Sequence, residues 1–261
     1  RPDRPHGKAK PYLERLPFAV PARDALPTLD KYAKLEHKGD CRTAGYVEAS
    51  RGCLHMCTHC PIPPVYDGRF FIVPTDILLE DIRGQVAAGA THITFGDPDF
   101  LNGPKHSLEV VRGMHAEFPS LTFDFTAKIE HLLNRGDTLP EFAEFGCLFI
   151  ISAVESLSNR VLEILDKQHT REDVRNALAA CRNAGGILVV SADHGNADEM
   201  YERNARTGEI VRDAAGAPQP KTAHSLNPVP VHIYDPAGTA KVQPSGQPPN
   251  CVVNSRMGRD I

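Results

Sequence analysis

Apolar positions between residues 44 and 184 follow two alternating rhythms. Short continuous runs at 46–49, 92–95, 121–125 and 148–154 have the length of buried strands. Stripes at helical spacing separate them. Ile77, Leu78, Ile82 and Val86 form one such stripe. It opens at Pro74-Thr75-Asp76, with Thr75 expected as the cap and Asp76 in the favourable first turn, and Gly89 stops it. Further helices are expected over 107–118 and over 170–184, the latter opened by the capping box Thr170-Arg171-Glu172-Asp173. Strands alternating with helices predict βαβ units on a parallel sheet, where ligands gather at the carboxyl ends of the strands. At those ends stand residues 53–60, then Gly96-Asp97-Pro98-Asp99, then Lys128 and Glu130, then Glu155 and Ser156.

Residues 1–40 break both rhythms with Pro2, Pro5, Pro11, Pro17, Pro21 and Pro27, and read as an irregular arm. Past residue 186, a strand over 187–190 and a hairpin over 201–211 around Thr207-Gly208 precede a proline-rich tail from 236 to 249. Three segments follow: 1–40, 41–186 and 187–261.

Composition narrows the class. With 261 residues, 41% hydrophobic and 24% charged, the chain has the makeup of an ordinary globular protein. A formal net charge of -4 lacks the basic excess of a phosphate-tracking surface, so neither nucleic acid nor an anionic membrane is an expected partner. The longest apolar run, 147–154, falls far short of the roughly 20 residues that span a bilayer, and no apolar leader opens the chain. A reducing cytoplasm fits this and the clustered thiols. The chain starts at Arg1 without methionine, and a processed or incomplete start is expected.

The chemistry concentrates in Cys53-Leu54-His55-Met56-Cys57-Thr58-His59-Cys60, which places three thiols at the spacing Cys-x3-Cys-x2-Cys. Three thiolates on one loop can hold an iron-sulfur cluster and leave one iron without a protein ligand. Two other readings stand beside it. Cys57 and Cys60 form a zinc-type pair, with Cys53, His55 or His59 as supplements, although no second Cys-x2-Cys follows. Incidental thiols are the other reading. A disulfide framework fits poorly, because the seven cysteines are an odd number and four of them are scattered singly. Asp97 and Asp99 likewise read either as site residues or as turn formers beside Pro98, and Glu155 as a site residue or a loop residue.

The cysteine spacing resembles the signature of the radical S-adenosylmethionine enzymes, and the likeness runs over roughly residues 41–186. It implies an α/β fold, a partial parallel (β/α) barrel with an irregular N-terminal arm. It also implies a 4Fe-4S cluster on Cys53, Cys57 and Cys60, whose fourth ligand is S-adenosylmethionine itself. His59 stands where the family usually carries an aromatic residue. Gly96 and Asp97 stand where it carries Gly-Gly-Glu against the cofactor's amino group, and Glu155 and Ser156 resemble its Glu-Ser pair. The implied activity is reductive cleavage of the cofactor to a 5'-deoxyadenosyl radical, fed by an electron donor, with the substrate unknown.

A second likeness begins near residue 185. The run from Ile187 through Ala192-Asp193-His194-Gly195-Asn196 to Met200, followed by Lys221-Thr222-Ala223-His224-Ser225, resembles the carboxyl-terminal part of cofactor-independent phosphoglycerate mutase, of the alkaline phosphatase superfamily. It implies a mutase-like strand-hairpin tail, with Asp193, His194 and His224 as manganese or zinc ligands. That family's two-metal centre needs about seven ligands and a serine nucleophile. Nothing in residues 1–186 resembles the missing parts. The barrel also lacks its own fifth and sixth strands, and the strand over 187–190 is expected in the fifth place. The chain thus reads as a chimera of two partial enzymes joined at Ala184-Gly185-Gly186. Its alternatives are a metal-dependent phosphotransferase or mutase fragment and an inactive fusion.

Overall fold

A computed structural model describes residues 17–183, 185–192, 199–221, 227–235 and 238. They fall into two compact units, one within Arg1–Ala184 and one within Gly185–Lys241.

The first unit is built on a five-stranded sheet in the order β1-β2-β5-β6-β7. Strand β1 (Lys34–His37) pairs antiparallel with β2 (Asp40–Val47). The other neighbours, β5 (His92–Phe95), β6 (Thr122–Thr126) and β7 (Cys147–Ile151), run parallel, with Val47 opposite Phe95 and Phe95 opposite Phe125. Helices α2 (Thr75–Ala87), α3 (Pro104–Glu117) and α7 (Arg171–Asn183) alternate with them. This is the expected partial parallel barrel.

The alternation of side chains decides where the core lies. Ile93, Phe95, Phe123 and Phe125 are fully buried against Ile82, Val110, Val111 and Met114 of the helices. The opposite positions of the same strands form a buried polar layer. His92 bonds Asp124 at 2.7 Å and Thr122 at 2.8 Å, and the Thr94 hydroxyl donates to Asp124 at 2.7 Å. Strands this apolar on one face and this polar on the other face two different interiors.

Several local expectations shift. Thr75 does not cap α2: Pro74 takes that place, and the Thr75 hydroxyl donates to Glu109 of α3 at 2.9 Å. The capping box at Thr170 forms as expected, the Thr170 N–H donating to Asp173 at 2.7 Å and the Asp173 N–H to the Thr170 hydroxyl at 3.2 Å. The arm's last residues supply the edge strand β1. The arm is further anchored where the Arg23 guanidinium grips the buried Asp81 carboxylate through two bonds, at 2.6 and 2.7 Å. Beyond the reach of β1, the outward backbone of Tyr46 is satisfied by a side chain: Gln85 accepts its N–H at 2.9 Å and donates to its carbonyl at 3.1 Å.

The strand expected in fifth place does not join the parallel sheet. Strand β8 (Leu188–Ser191) pairs antiparallel with β9 (Val231–Tyr234) in a separate two-stranded sheet of the second unit. The hairpin around Gly208 is present, with Arg203 bridging Ile210 and φ of +73° at the glycine.

Candidate functional site

The site is assembled at the carboxyl ends of the parallel strands, on residues that the fold draws from five loops. After β2 the chain turns at Glu48 and Ala49 into the short strand β3 (Ser50–Gly52), which pairs with β4 (Phe70–Ile72) and leads into the cysteine loop. Gly52 is required there, because its φ is +84° and a Cβ would sit 2.2 Å from the Arg69 carbonyl oxygen. The loop is pinned at its far side too. Thr58 donates its N–H to the Leu165 carbonyl at 3.1 Å and its hydroxyl to the Ile164 carbonyl at 3.0 Å, at the end of α6 (Asn159–Ile164).

Cys53 and Cys57 are each 8% exposed and Cys60 is half-buried. Burial pushes the Cys57 thiol up, while the Lys128 and Lys167 ammonium charges pull it down and the neighbouring Cys60 and Cys53 raise it. Cys57 thus lies within electrostatic reach of the other two cysteines and of two cations. Nearby, one ligand atom from each of His55, Asp99 and His131 lies within 4.8 Å of the others. Asn102 donates to Cys53 Sγ at 3.5 Å.

The residues expected around a cofactor divide into two kinds. Asp97 is buried beneath the loop, its carboxylate accepting from the Ala49 N–H at 2.9 Å and from the Ser50 hydroxyl. Burial pushes its pKa up to about 6 against those bonds. Both oxygens are thus engaged in fixing the entry to the cysteine loop. Gly96 is explained by packing, since a Cβ would overlap the Tyr46 ring. The Ser156 hydroxyl accepts the Ser158 N–H at 3.1 Å in a local turn.

Glu155 and His59 are different. They meet across the mouth of the barrel, His59 Nε2 lying 3.1 Å from Glu155 Oε1, and the Lys167 ammonium reaches the same oxygen at 3.3 Å. Glu155 holds this position in an uncommon backbone state. Its φ is +65°, and the Ser156 N–H donates to the Val154 carbonyl at 2.8 Å, closing a three-residue turn around it.

Beneath them lies a second polar group. Asp99 is fully buried; its Oδ1 accepts the Leu101 N–H and its Oδ2 lies 2.7 Å from His131 Nδ1 and 3.7 Å from His55 Nε2. Lys128 and Glu130 face it, the ammonium 3.8 Å from the Glu130 carboxylate. His169 is buried with both ring nitrogens unpartnered, and burial lowers its pKa. Sequence reading assigned no site role to His131, Lys167 or His169. The one usable signal for His131 was its position just past the end of the third parallel strand. Asp193, His194 and His224 lie outside the described residues.

Comparison with known proteins gives two matches along the chain. The family model of the Radical SAM superfamily matches residues 47–201, and that of the Metalloenzyme superfamily matches residues 156–248. Curated relatives share the second part. The chain is 50% identical over 56 residues to the "Probable 2,3-bisphosphoglycerate-independent phosphoglycerate mutase" of Leptospira interrogans, covering 22% of this chain and 10% of that one. It is 42% identical over 72 residues to the Ricinus communis phosphoglycerate mutase of the same type, covering 28% of this chain and 13% of that one. The chain spans about a tenth of the length of these relatives. Among solved structures, the radical S-adenosylmethionine methyltransferase TsrM of Kitasatospora setae aligns with TM-score 0.45 and 18% identity, over 56% of this chain and 28% of that one. The cobalamin-dependent S-adenosylmethionine radical enzyme OxsB aligns with TM-score 0.48 and 24% identity, over 54% of this chain and 22% of that one.

Proposed function

This chain belongs to the Radical SAM superfamily, and we propose that it binds a 4Fe-4S cluster through Cys53, Cys57 and Cys60 and cleaves S-adenosylmethionine reductively. The observation that carries the reading is the loop itself: three free thiols, two of them buried, within eight residues, on a loop that follows the first parallel strand. The donor set fits, because three thiolates leave one iron for a non-protein ligand. Cys53, Cys57 and Cys60 would hold the cluster, and its chemistry there would be one-electron reduction of the cofactor's sulfonium.

The protein's own part is positioning and charge. Asp97 and Thr58 hold the two ends of the loop. Lys128 and Lys167 bring positive charge to Cys57, favouring its thiolate against the burial that opposes it. His59 and Glu155 present a hydrogen-bonding pair at the mouth, suited to the amino and hydroxyl groups of the cofactor, with Lys167 fixing the carboxylate. The substrate is an unidentified molecule admitted to the barrel interior, and a one-electron donor is the required partner.

The test is anaerobic purification followed by analysis for iron and acid-labile sulfide, then incubation with a strong reductant and S-adenosylmethionine. Equimolar methionine and 5'-deoxyadenosine are the expected products. A sulfide-free chain after reconstitution would sink the reading.

The mutase-like segment is proposed to be catalytically silent on its own. Two-metal phosphoryl transfer needs a nucleophile and more donors than Asp193, His194 and His224 provide. The chain supplied with manganese is expected to leave 3-phosphoglycerate unchanged; appearance of the 2-isomer above the uncatalysed rate would refute this.

A further inference from the structure

We propose a mononuclear divalent transition-metal site, separate from the cysteine thiols, formed by His55, Asp99 and His131. The three ligand atoms lie within 4.8 Å of one another. Each is buried and lacks a hydrogen-bond partner: His55 Nε2, Asp99 Oδ2 and His131 Nδ1. That coincidence carries the proposal. A fully buried carboxylate oxygen without a bond is costly, and so are two buried ring nitrogens. Although His131 Nδ1 approaches Asp99 Oδ2 to 2.7 Å, the pair is not aligned as a hydrogen bond, so a proton between them does not satisfy both. One cation bound by all three would.

The geometry is close to what such an ion needs. Ligand atoms around a tetrahedral ion at zinc-type bond lengths are about 3.4 Å apart, between the 2.7 Å and 3.7 Å separations found here. Glu130 Oε2 lies 3.9 Å from His55 Nδ1, beyond hydrogen-bond reach, and places negative charge beside the ring nitrogen that does not face Asp99. Lys128 lies beside Glu130 and offsets that second carboxylate, leaving the Asp99 charge for the ion. Two imidazoles and one carboxylate select a borderline ion such as zinc, cobalt or ferrous iron over magnesium or calcium, which prefer oxygen alone. The Asp99 carboxylate is oriented for this, its Oδ1 accepting the Leu101 N–H while its Oδ2 faces the two imidazoles.

The test uses the full chain carrying C53A, C57A and C60A, so that no thiolate of the loop competes, titrated with zinc alone against a chromophoric chelator. Uptake of about one ion per chain is expected, with X-ray absorption showing nitrogen and oxygen neighbours and imidazole outer scattering. Adding Asp99→Asn or His131→Gln, each conservative in volume and checked for native circular dichroism, should weaken uptake by more than about tenfold. Adding His194→Ala and His224→Ala instead should leave it unchanged. No uptake would overturn the proposal. So would uptake indifferent to both Asp99→Asn and His131→Gln, loss on removing His194 and His224, or a shell of oxygen alone. The X-ray measurement needs no ligand variant, so a variant that fails to fold does not rescue the idea. Because this readout is zinc in a chain without loop thiols, its failure is distinct from failure to find cluster sulfide.

Discussion

Replacing Cys53, Cys57 and Cys60 together by alanine is expected to reduce acid-labile sulfide and 5'-deoxyadenosine formation to background, whereas Cys147→Ala should leave both unchanged. The thiolate is the ligand, and a methyl group offers nothing in its place. Cys147 makes the control informative, being a thiol of the same chain in the opposite circumstances. It stands at the first residue of β7, at the end of the sheet away from the site, and burial near Asp124 pushes its pKa up to about 12. A thiol so resistant to ionisation is a poor metal ligand and a poor nucleophile. Sulfide retained in stoichiometric amount by the triple variant, measured after anaerobic reconstitution, would place the cluster elsewhere in the chain.

The largest expected loss of stability from a single substitution is at Phe100. This ring is 2% exposed and meets Phe95 at 4.5 Å, Phe125 at 5.0 Å and Phe142 at 6.2 Å between centroids. Phe100→Ala removes its contacts and leaves a void that strand-held neighbours cannot close, a cost of about 3–5 kcal/mol. The residue also begins the short 3-10 turn Phe100–Asn102, with Asp99 before it, and its carbonyl accepts the Ser107 hydroxyl. The same void should therefore loosen the Asn102 contact to Cys53 and the Asp99 carboxylate together. Denaturant unfolding of the apo chain reads the first effect; a midpoint shift corresponding to under about 1 kcal/mol would show that this aromatic cluster is not the centre of the core.

How much of this could be read from residue order depended on distance along the chain. The three cysteines declare themselves because eight residues contain them all. The strands His92–Phe95 and Thr122–Thr126 are legible because continuous apolar runs bounded by polar loops leave few alternatives. Between Thr126 and Cys147, by contrast, lie two short helices, α4 (Ile129–Asn134) and α5 (Leu139–Glu144), separated by the 3-10 turn Gly136–Thr138, each too brief to set up a readable stripe. Thr75 shows how tertiary structure overrides a local rule: a hydroxyl that could cap its own helix finds Glu109 on the next one instead. His55, Asp99 and His131 were invisible as a group, since only the parallel sheet, by ending all its strands on one side, brings such distant positions together. The strand over 188–191 was seen but misplaced. Its Val189 and Val190 are largely exposed, so the apolar run that resembled a barrel strand is not committed to the barrel core.

The left-handed backbone at Glu155 records a bargain between ease of folding and use. A tight turn at φ of +65° is a place where glycine would fit without strain, and a branched or bulky backbone there costs about 1–2 kcal/mol. Glycine, however, has no carboxylate to offer His59 and Lys167. The chain has kept the harder residue at the one corner where three loops converge. A sequence selected for thermal endurance alone would drift toward glycine at position 155, and in doing so would give up the acid at the mouth of the barrel. Engineering aimed at a hardier scaffold therefore has a natural position to leave untouched.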